Sequence, residues 1–292
     1  MSAEVLRKRK GEILISIPPI LWLIIFFVIP TFLVIAMAFR SADPYGGIGQ
    51  EWTLDTIKSL GNPDYPVIIW RTIWLSVLST AVCILASIPA GYYIARLNKK
   101  YQDILLLFII VPFWINFLIR IFAWKVFLHP EGFFKEALVA LKIAAPDTLL
   151  LYNTGAVLVV IVYSYLPFAL LPIYAAAEKF NFHLLEAAYD LGAGRLQAFV
   201  RVFLPGIKQG IITAIVVVFI PALGSYVIPD IVGGTQAEMI GNKIAQRTFI
   251  DRNLPHASAL STILALAIII PSAVALTMRF FKEKNSTSLR LR

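Results

Sequence analysis

Six stretches of this chain are apolar and long enough to cross a lipid bilayer, and none of them contains an Asp or Glu. They cover residues 13–39, 70–95, 104–127, 154–177, 206–228 and 257–281. About 20 helical residues cross the hydrocarbon, and an unpaired acid at that depth is costly, so the absence of acids supports reading each stretch as a span. The whole chain agrees: of 292 residues, 15% are charged, against about a quarter in a soluble domain. The expected fold is all-α and integral to the membrane, with six transmembrane helices. The first stretch follows the basic residues Arg7, Lys8, Arg9 and Lys10, and Ala36-Met37-Ala38 resembles a cleavage site. A signal peptide's apolar region is only ~7–15 residues, so an uncleaved first helix is expected.

The net charge of +9 is explained by topology. With both termini in the cytoplasm, the inner segments hold 16 Lys and Arg against 7 Asp and Glu, and the three outer loops hold 7 against 10. That asymmetry satisfies the positive-inside rule, and the inverted topology violates it. The basicity implies no nucleic-acid partner. No G-x-x-x-x-G-K-[ST] phosphate loop occurs, so energy from ATP would have to arrive from another chain. His129, His183 and His256 are scattered over three loops, which supports neither a metal site nor catalysis. Cys83 sits mid-span and reads as packing. Prolines recur in or beside the spans (Pro30, Pro89, Pro112, Pro167, Pro172, Pro221, Pro271). They fit either ordinary kinks or kinked helices around a solvated path.

The inner loop between the fourth and fifth spans has a pattern of its own. Leu184, Ala188 and Leu191 recur at helical spacing, with Glu186 and Asp190 one turn apart on another face. Like charges at that spacing are mildly destabilising, and a basic partner surface would neutralise them. Gly192 permits a turn, and Leu196, Phe199, Val200 and Phe203 begin a second helical pattern that Leu204-Pro205 closes. The pattern predicts a helix–turn–helix on the cytoplasmic surface. It fits docking to a partner chain, or an amphipathic helix resting on lipid.

Glu186-Ala187-Ala188, then Gly192 after three residues, then Val202, Leu204 and Pro205, resembles the E-A-A, x3, G, x9, I-x-L-P signature of permease subunits in bacterial ABC importers; only Val for Ile departs. The resemblance implies the type I importer permease fold in the bacterial inner membrane. Residues 67–281 would form the family's membrane domain, 1–66 an added helix with its outer loop, and 282–292 a cytoplasmic tail. The implied partners are a second permease, two ATPase subunits that carry ATP and Mg, and an extracytoplasmic substrate-binding protein. No cofactor is expected in this chain. Glu186, Ala187, Ala188, Asp190, Gly192, Leu204 and Pro205 would couple it to the ATPase, the second helical half passing motion to the fifth span.

Val111-Pro112-Phe113-Trp114-Ile115-Asn116 with Arg120 and Trp124, Leu166-Pro167-Phe168, Pro221-Ala222-Leu223-Gly224, Asp230-Ile231-Val232-Gly233-Gly234 and Ile240-Gly241-Asn242 are similar to spermidine/putrescine permeases. A polycation can bind aromatic faces, each worth ~0.5–2 kcal/mol. Candidate path residues are Trp114, Asn116, Tyr163, Tyr165, Ser225, Tyr226 and Asp230; packing and interfacial anchoring also account for such Trp and Tyr. In a straight third helix Trp114 would lie about 15 Å into the core and Arg120 about 24 Å along it. Arg120 would repel a polycation, so it is expected to pair with an outer acid or a partner subunit, away from the path. Asp230 reads as a solvated loop carboxylate or as part of an anionic outer mouth. A permease for another small solute, or an autonomous secondary transporter or channel, is the competing reading. The latter usually needs intramembrane titratable groups or an internal repeat, and neither is evident here.

Overall fold

A computed structural model describes residues 15–270. Arg7, Lys8, Arg9 and Lys10, residues 13–14 of the first span, residues 271–281 of the sixth and the 282–292 tail lie outside the described residues. The chain divides into two compact units, one holding the described residues up to Pro63 and from Lys243 onward, the other Asp64–Asn242.

In the first unit, helix α1 (Ile15–Met37) is long and apolar enough to cross a bilayer. A π turn at Ile24–Val28 precedes Pro30, where the missing N–H interrupts the ladder. Strands β1 (Arg40–Ala42) and β2 (Ile48–Trp52) pair antiparallel, with Arg40 opposite Trp52. The short helix α2 (Asp55–Ser59) follows.

The second unit carries helices α3 (Asp64–Ala95), α4 (Lys99–Ile110), α5 (Phe117–Phe127), α6 (Phe133–Ala140), α7 (Thr154–Glu178), α8 (His183–Asp190), α9 (Arg195–Gly206) and α10 (Lys208–Leu223). Its core is the contact of α3, α7 and α10 around the fully buried Ile173. Small residues let these helices approach closely. A Cβ on Gly210 would lie 2.5 Å from the Ala176 Cβ and 2.7 Å from the Pro172 carbonyl, so only glycine fits there. Cys83 is buried, its Sγ 3.6 Å from the Val162 carbonyl, which is a packing role. After α10 the chain runs through helix α11 (Ile240–Ala245) to helix α12 (Leu254–Ile270) in the first unit.

Among the described residues, α1, α3 and α7 are each long enough to span, and two bent pairs bring the number to five. Two expected straight spans are corrected. Residues 104–127 are broken by 91° between the Val111–Trp114 3-10 turn and α5. There Ile115 and Asn116 are extended, and the Asn116 Oδ1 accepts from the Leu118 N–H at 2.8 Å, so a capping side chain starts a new helix. The depth argument for Trp114 and Arg120 falls with the straight helix. In residues 206–228, helix α10 stops at Leu223 and helix resumes only at Val227, which leaves Ser225 and Tyr226 in the break, and α9 meets α10 at 69°. By contrast Pro89, Pro167, Pro172 and Pro221 all sit inside continuous helices.

Candidate functional site

The loop between α7 and α10 folds as the sequence predicts, two short helices joined at a glycine. α8 ends at Asp190, Gly192 adopts φ +85°, and α9 carries a π turn at Phe199–Phe203. The faces differ from expectation. Leu184 and Leu185 sit 100° apart on a two-turn helix, so only one can face the core. The buried stripe is Phe182, Leu185 and Ala188, spaced three residues apart, and on α9 it is Ala198, Phe199, Val202 and Phe203. Leu191 is 89% exposed and Leu196 77%, with Leu184 and Val200 also outward. Glu186 and Asp190 share that exposed surface with Ala187. Glu186 has a neighbour the sequence reading did not use, the His183 Nδ1 at 2.8 Å from its Oε2. Both groups are exposed, so the pair adds little stability. Leu204 and Pro205 lie inside α9, one residue before its end.

The buried side of the loop is clamped to α3 by rings. The Phe203 side chain is fully buried, 4.9 Å from Tyr92, 5.2 Å from Phe180 and 5.1 Å from Phe199, centroid to centroid. Tyr92 also meets Phe182 and Phe199 edge-on, and Arg96 donates to the Tyr92 hydroxyl at 2.7 Å. The loop is therefore packed onto α3 as well as joined to α10. Nearby, the Tyr174 hydroxyl donates to Gln102 Oε1 at 3.0 Å, Gln102 Nε2 donates to the Leu97 carbonyl at 2.9 Å, and Lys99 pairs with Glu178 at 2.8 Å. These contacts tie α4 to the adjacent ends of α3 and α7.

The expected path residues scatter. Trp114, 78% exposed, ends the 3-10 turn; Asn116 caps α5. Tyr163 packs on Trp124 at 5.2 Å and lines a trough of about 400 Å³ with Ile115, Ile119, Arg120, Ala123 and Phe127. Tyr165 reaches the Pro221 carbonyl at 3.4 Å and the Ser225 side chain. Ser225 is buried, Tyr226 exposed, and Asp230 is exposed in the first turn of the Pro229–Gly233 π helix. Of the seven, only Tyr163 lines the trough.

Arg120 lines the trough, and no acid pairs with it among the described residues, so the first of its two expected partners, an outer acid, is not seen in this chain. Its guanidinium lies 4.3 Å from the Phe113 ring centroid and 5.8 Å from Phe117. The segment after α10 is held by a network built on Ile240-Gly241-Asn242, a stretch the sequence marked by resemblance alone, with no indication of its role. Thr72 Oγ1 accepts from the Ile240 N–H at 2.8 Å, and buried Asn242 donates to the Tyr226 carbonyl at 2.9 Å while accepting from the Met239 N–H at 3.1 Å. A Cβ at Gly241 would lie 2.7 Å from the Ser225 carbonyl, so that glycine allows the close approach.

Apolar helices long enough to span, with a folded helix–turn–helix between α7 and α10, define a helical membrane protein. The chain belongs to the family described as the binding-protein-dependent transport system inner membrane component, matched over residues 87–282. It is 38% identical to the spermidine/putrescine transport system permease protein PotB of Haemophilus influenzae, over 82% of this chain and 84% of that one. With the protein of the same name from Escherichia coli it shares 33% identity, over 85% and 90%. Its fold resembles that in the crystal structure of a bacterial ABC transporter involved in the import of the acidic polysaccharide alginate, with a TM-score of 0.67 at 20% identity over 97% of each chain. A second alginate transporter structure, in complex with alginate pentasaccharide-bound periplasmic protein, gives 0.69 at 19% identity, over 91% of this chain and 93% of that one.

Proposed function

We propose that this permease imports polyamines and is driven through the 186–205 loop by a separate ATPase. The observation that carries the polyamine reading is the identity with the two spermidine/putrescine permeases, which extends over most of both chains. The loop's geometry supports the coupling: Leu184, Leu191, Leu196 and Val200 are exposed beside Glu186 and Asp190, a surface suited to an apolar groove with basic edges. Motion of the docked loop would pass through Phe203 and Tyr92 to α3, and through the connection of α9 to α10. In this reading six helices form the membrane body with both termini cytoplasmic, and residues 67–281 form the transport domain between the 1–66 and 282–292 segments. A second permease, two ATPase subunits holding ATP and Mg, and an external binding protein complete the complex. Trp114, Tyr163, Tyr165 and Tyr226 would offer aromatic faces to ammonium groups, Asn116 and Ser225 neutral polar contacts, and Asp230 an anionic mouth.

A different small solute is the second reading, favoured by the shared fold with the alginate transporters. Reconstitution of the full complex in liposomes separates the two. The expected result is ATP-dependent uptake of spermidine or putrescine, with ATPase stimulated by binding protein loaded with the same polyamine. Uptake of an uncharged or anionic solute with no polyamine uptake would overturn the proposal.

A further inference from the structure

Gln102 is a buried amide near the start of α4, and its bonds join three helices. Its Oε1 accepts from the Tyr174 hydroxyl of α7 at 3.0 Å, and its Nε2 donates to the Leu97 carbonyl at 2.9 Å and the Ala95 carbonyl at 3.3 Å. The last carbonyls of a helix have no partner within it, so Gln102 closes the end of α3 while holding α7. Beside it Lys99 and Glu178 pair at 2.8 Å, and the Tyr174 hydroxyl also meets Glu178. Lys99 begins α4 and Glu178 ends α7, where a cation and an anion respectively oppose the helix dipole. Each charge is misplaced on its own helix and is met across the helices by the other; Asp103, 3.9 Å from Lys99, is a longer second contact. An exposed pair adds little stability, so the pair reads as a link between helices.

Packing divides the third span where its backbone bends. Leu105, Leu106 and Ile109 of α4 pack on Ile94, Leu170 and Tyr174, in the last turns of α3 and α7. Ile121 and Trp124 of α5 belong instead to the cluster of Leu75, Val157 and Ile228. Between the two lie only the Val111–Trp114 turn and the extended Ile115 and Asn116. At the other end, residues 179–182 alone separate Glu178 from α8, and Phe180 and Phe182 pack on Phe203 in the loop's own ring cluster.

We propose that Gln102, Tyr174 and the Lys99–Glu178 pair are positioning residues that carry motion of the 183–205 loop into α4, with Ile115 and Asn116 as the hinge against α5. This rests on the ATPase-coupling reading above and adds a third route to those through α3 and α10. The far end of α4 leads into Trp114 and into the trough that begins at Ile115. Movement of the docked loop therefore resets that turn while α5 keeps its own packing.

The test uses the complete complex in liposomes and reads spermidine taken up per ATP hydrolysed. Lys99→Glu and Glu178→Lys each place a favoured charge at their own helix end, so a role in helix stability alone predicts no loss. The proposal predicts that each lowers uptake per ATP by about fivefold or more, and that the two together return it to within about twofold of the unaltered complex. Tyr174→Phe keeps the ring and should show the same loss, with the ATPase still co-purifying. A second measurement guards against misfolding: Lys99→Cys with Glu178→Cys should lose uptake per ATP, and joining the two thiols with a flexible bis-maleimide should restore it, the buried Cys83 being left unmodified. Unchanged uptake per ATP in the single reversals or in Tyr174→Phe, no recovery in the double reversal, or no recovery on joining the thiols overturns the proposal. An unaltered chain that does not retain the ATPase would instead refute the coupling reading beneath it.

Discussion

Phe203→Ala should detach the 183–203 segment from α3 while leaving the α7 core closed. The Phe203 side chain is fully buried and meets Tyr92, Phe180 and Phe199 at 4.9–5.2 Å. Removing such a ring costs ~3–5 kcal/mol through lost transfer energy and residual cavity, and aromatic pairs add ~0.5–1.5 kcal/mol beyond their area. The buried face of the loop (Leu185, Ala198, Phe203) joins the Ile173 end of the core, but its other face is exposed and Val160 and Ile161 lie in a different cluster, so most of that cost should fall on the local opening equilibrium of the loop. At about 1.4 kcal/mol per factor of ten, the open population rises about a hundredfold or more. Amide hydrogen exchange on the purified chain reads this directly. Backbone amides of α8 and α9 should exchange faster by that factor, while those of Val160 and Ile161, buried in α7, keep their protection. Phe203→Leu keeps most of the apolar volume and should give a smaller effect in the same segment. Unchanged loop exchange in Phe203→Ala would refute the ring cluster as the clamp, and equal loss of protection in α7 would show that the loop is no separate unit.

Other expectations follow from single close approaches. Gly210→Val places atoms where the Pro172 carbonyl lies 2.7 Å from a Cβ, so α7 and α10 must separate; the cost is ~1–3 kcal/mol or more, seen as a lower melting temperature in detergent. Gly192→Ala meets no atom within 4 Å, yet its φ is +85°, so it should cost about 1–2 kcal/mol of backbone strain alone, read as faster exchange confined to the loop. Asn116→Ala removes the cap on α5 and should cost ~1 kcal/mol, with amides of Leu118 and its neighbours losing protection first.

Much of this was legible in the residues. The spans are continuous apolar runs without acids, a signal of composition that neighbours cannot disguise. The loop's helix–turn–helix was legible because Gly192 and the spacing of Phe199 and Phe203 encode it locally. Which stripe faced inward was not, since Leu184 and Leu185 are equally apolar and only packing against residues distant in sequence, Tyr92 on Phe182 and the Ile173 cluster around Leu185 and Ala188, selects that stripe. The break in the third span hid for the opposite reason: Pro112 looked like the other prolines, four of which lie in unbroken helices. Only with Asn116 turning back to cap Leu118 does the chain bend. Arg120 meets Phe117 within α5 and Phe113 across the bend, a pair of ring contacts that counting along a straight helix does not describe.

The central claim, that the exposed face of the loop is where an ATPase docks, is tested most directly by binding. Leu191→Glu with Leu196→Glu alters two side chains that are 89% and 77% exposed, so the melting temperature of the chain should stay within error of the unaltered protein. The account predicts that the ATPase no longer co-purifies and that ATP-dependent uptake is lost together with it. Full recovery of the ATPase by the doubly substituted chain would contradict it.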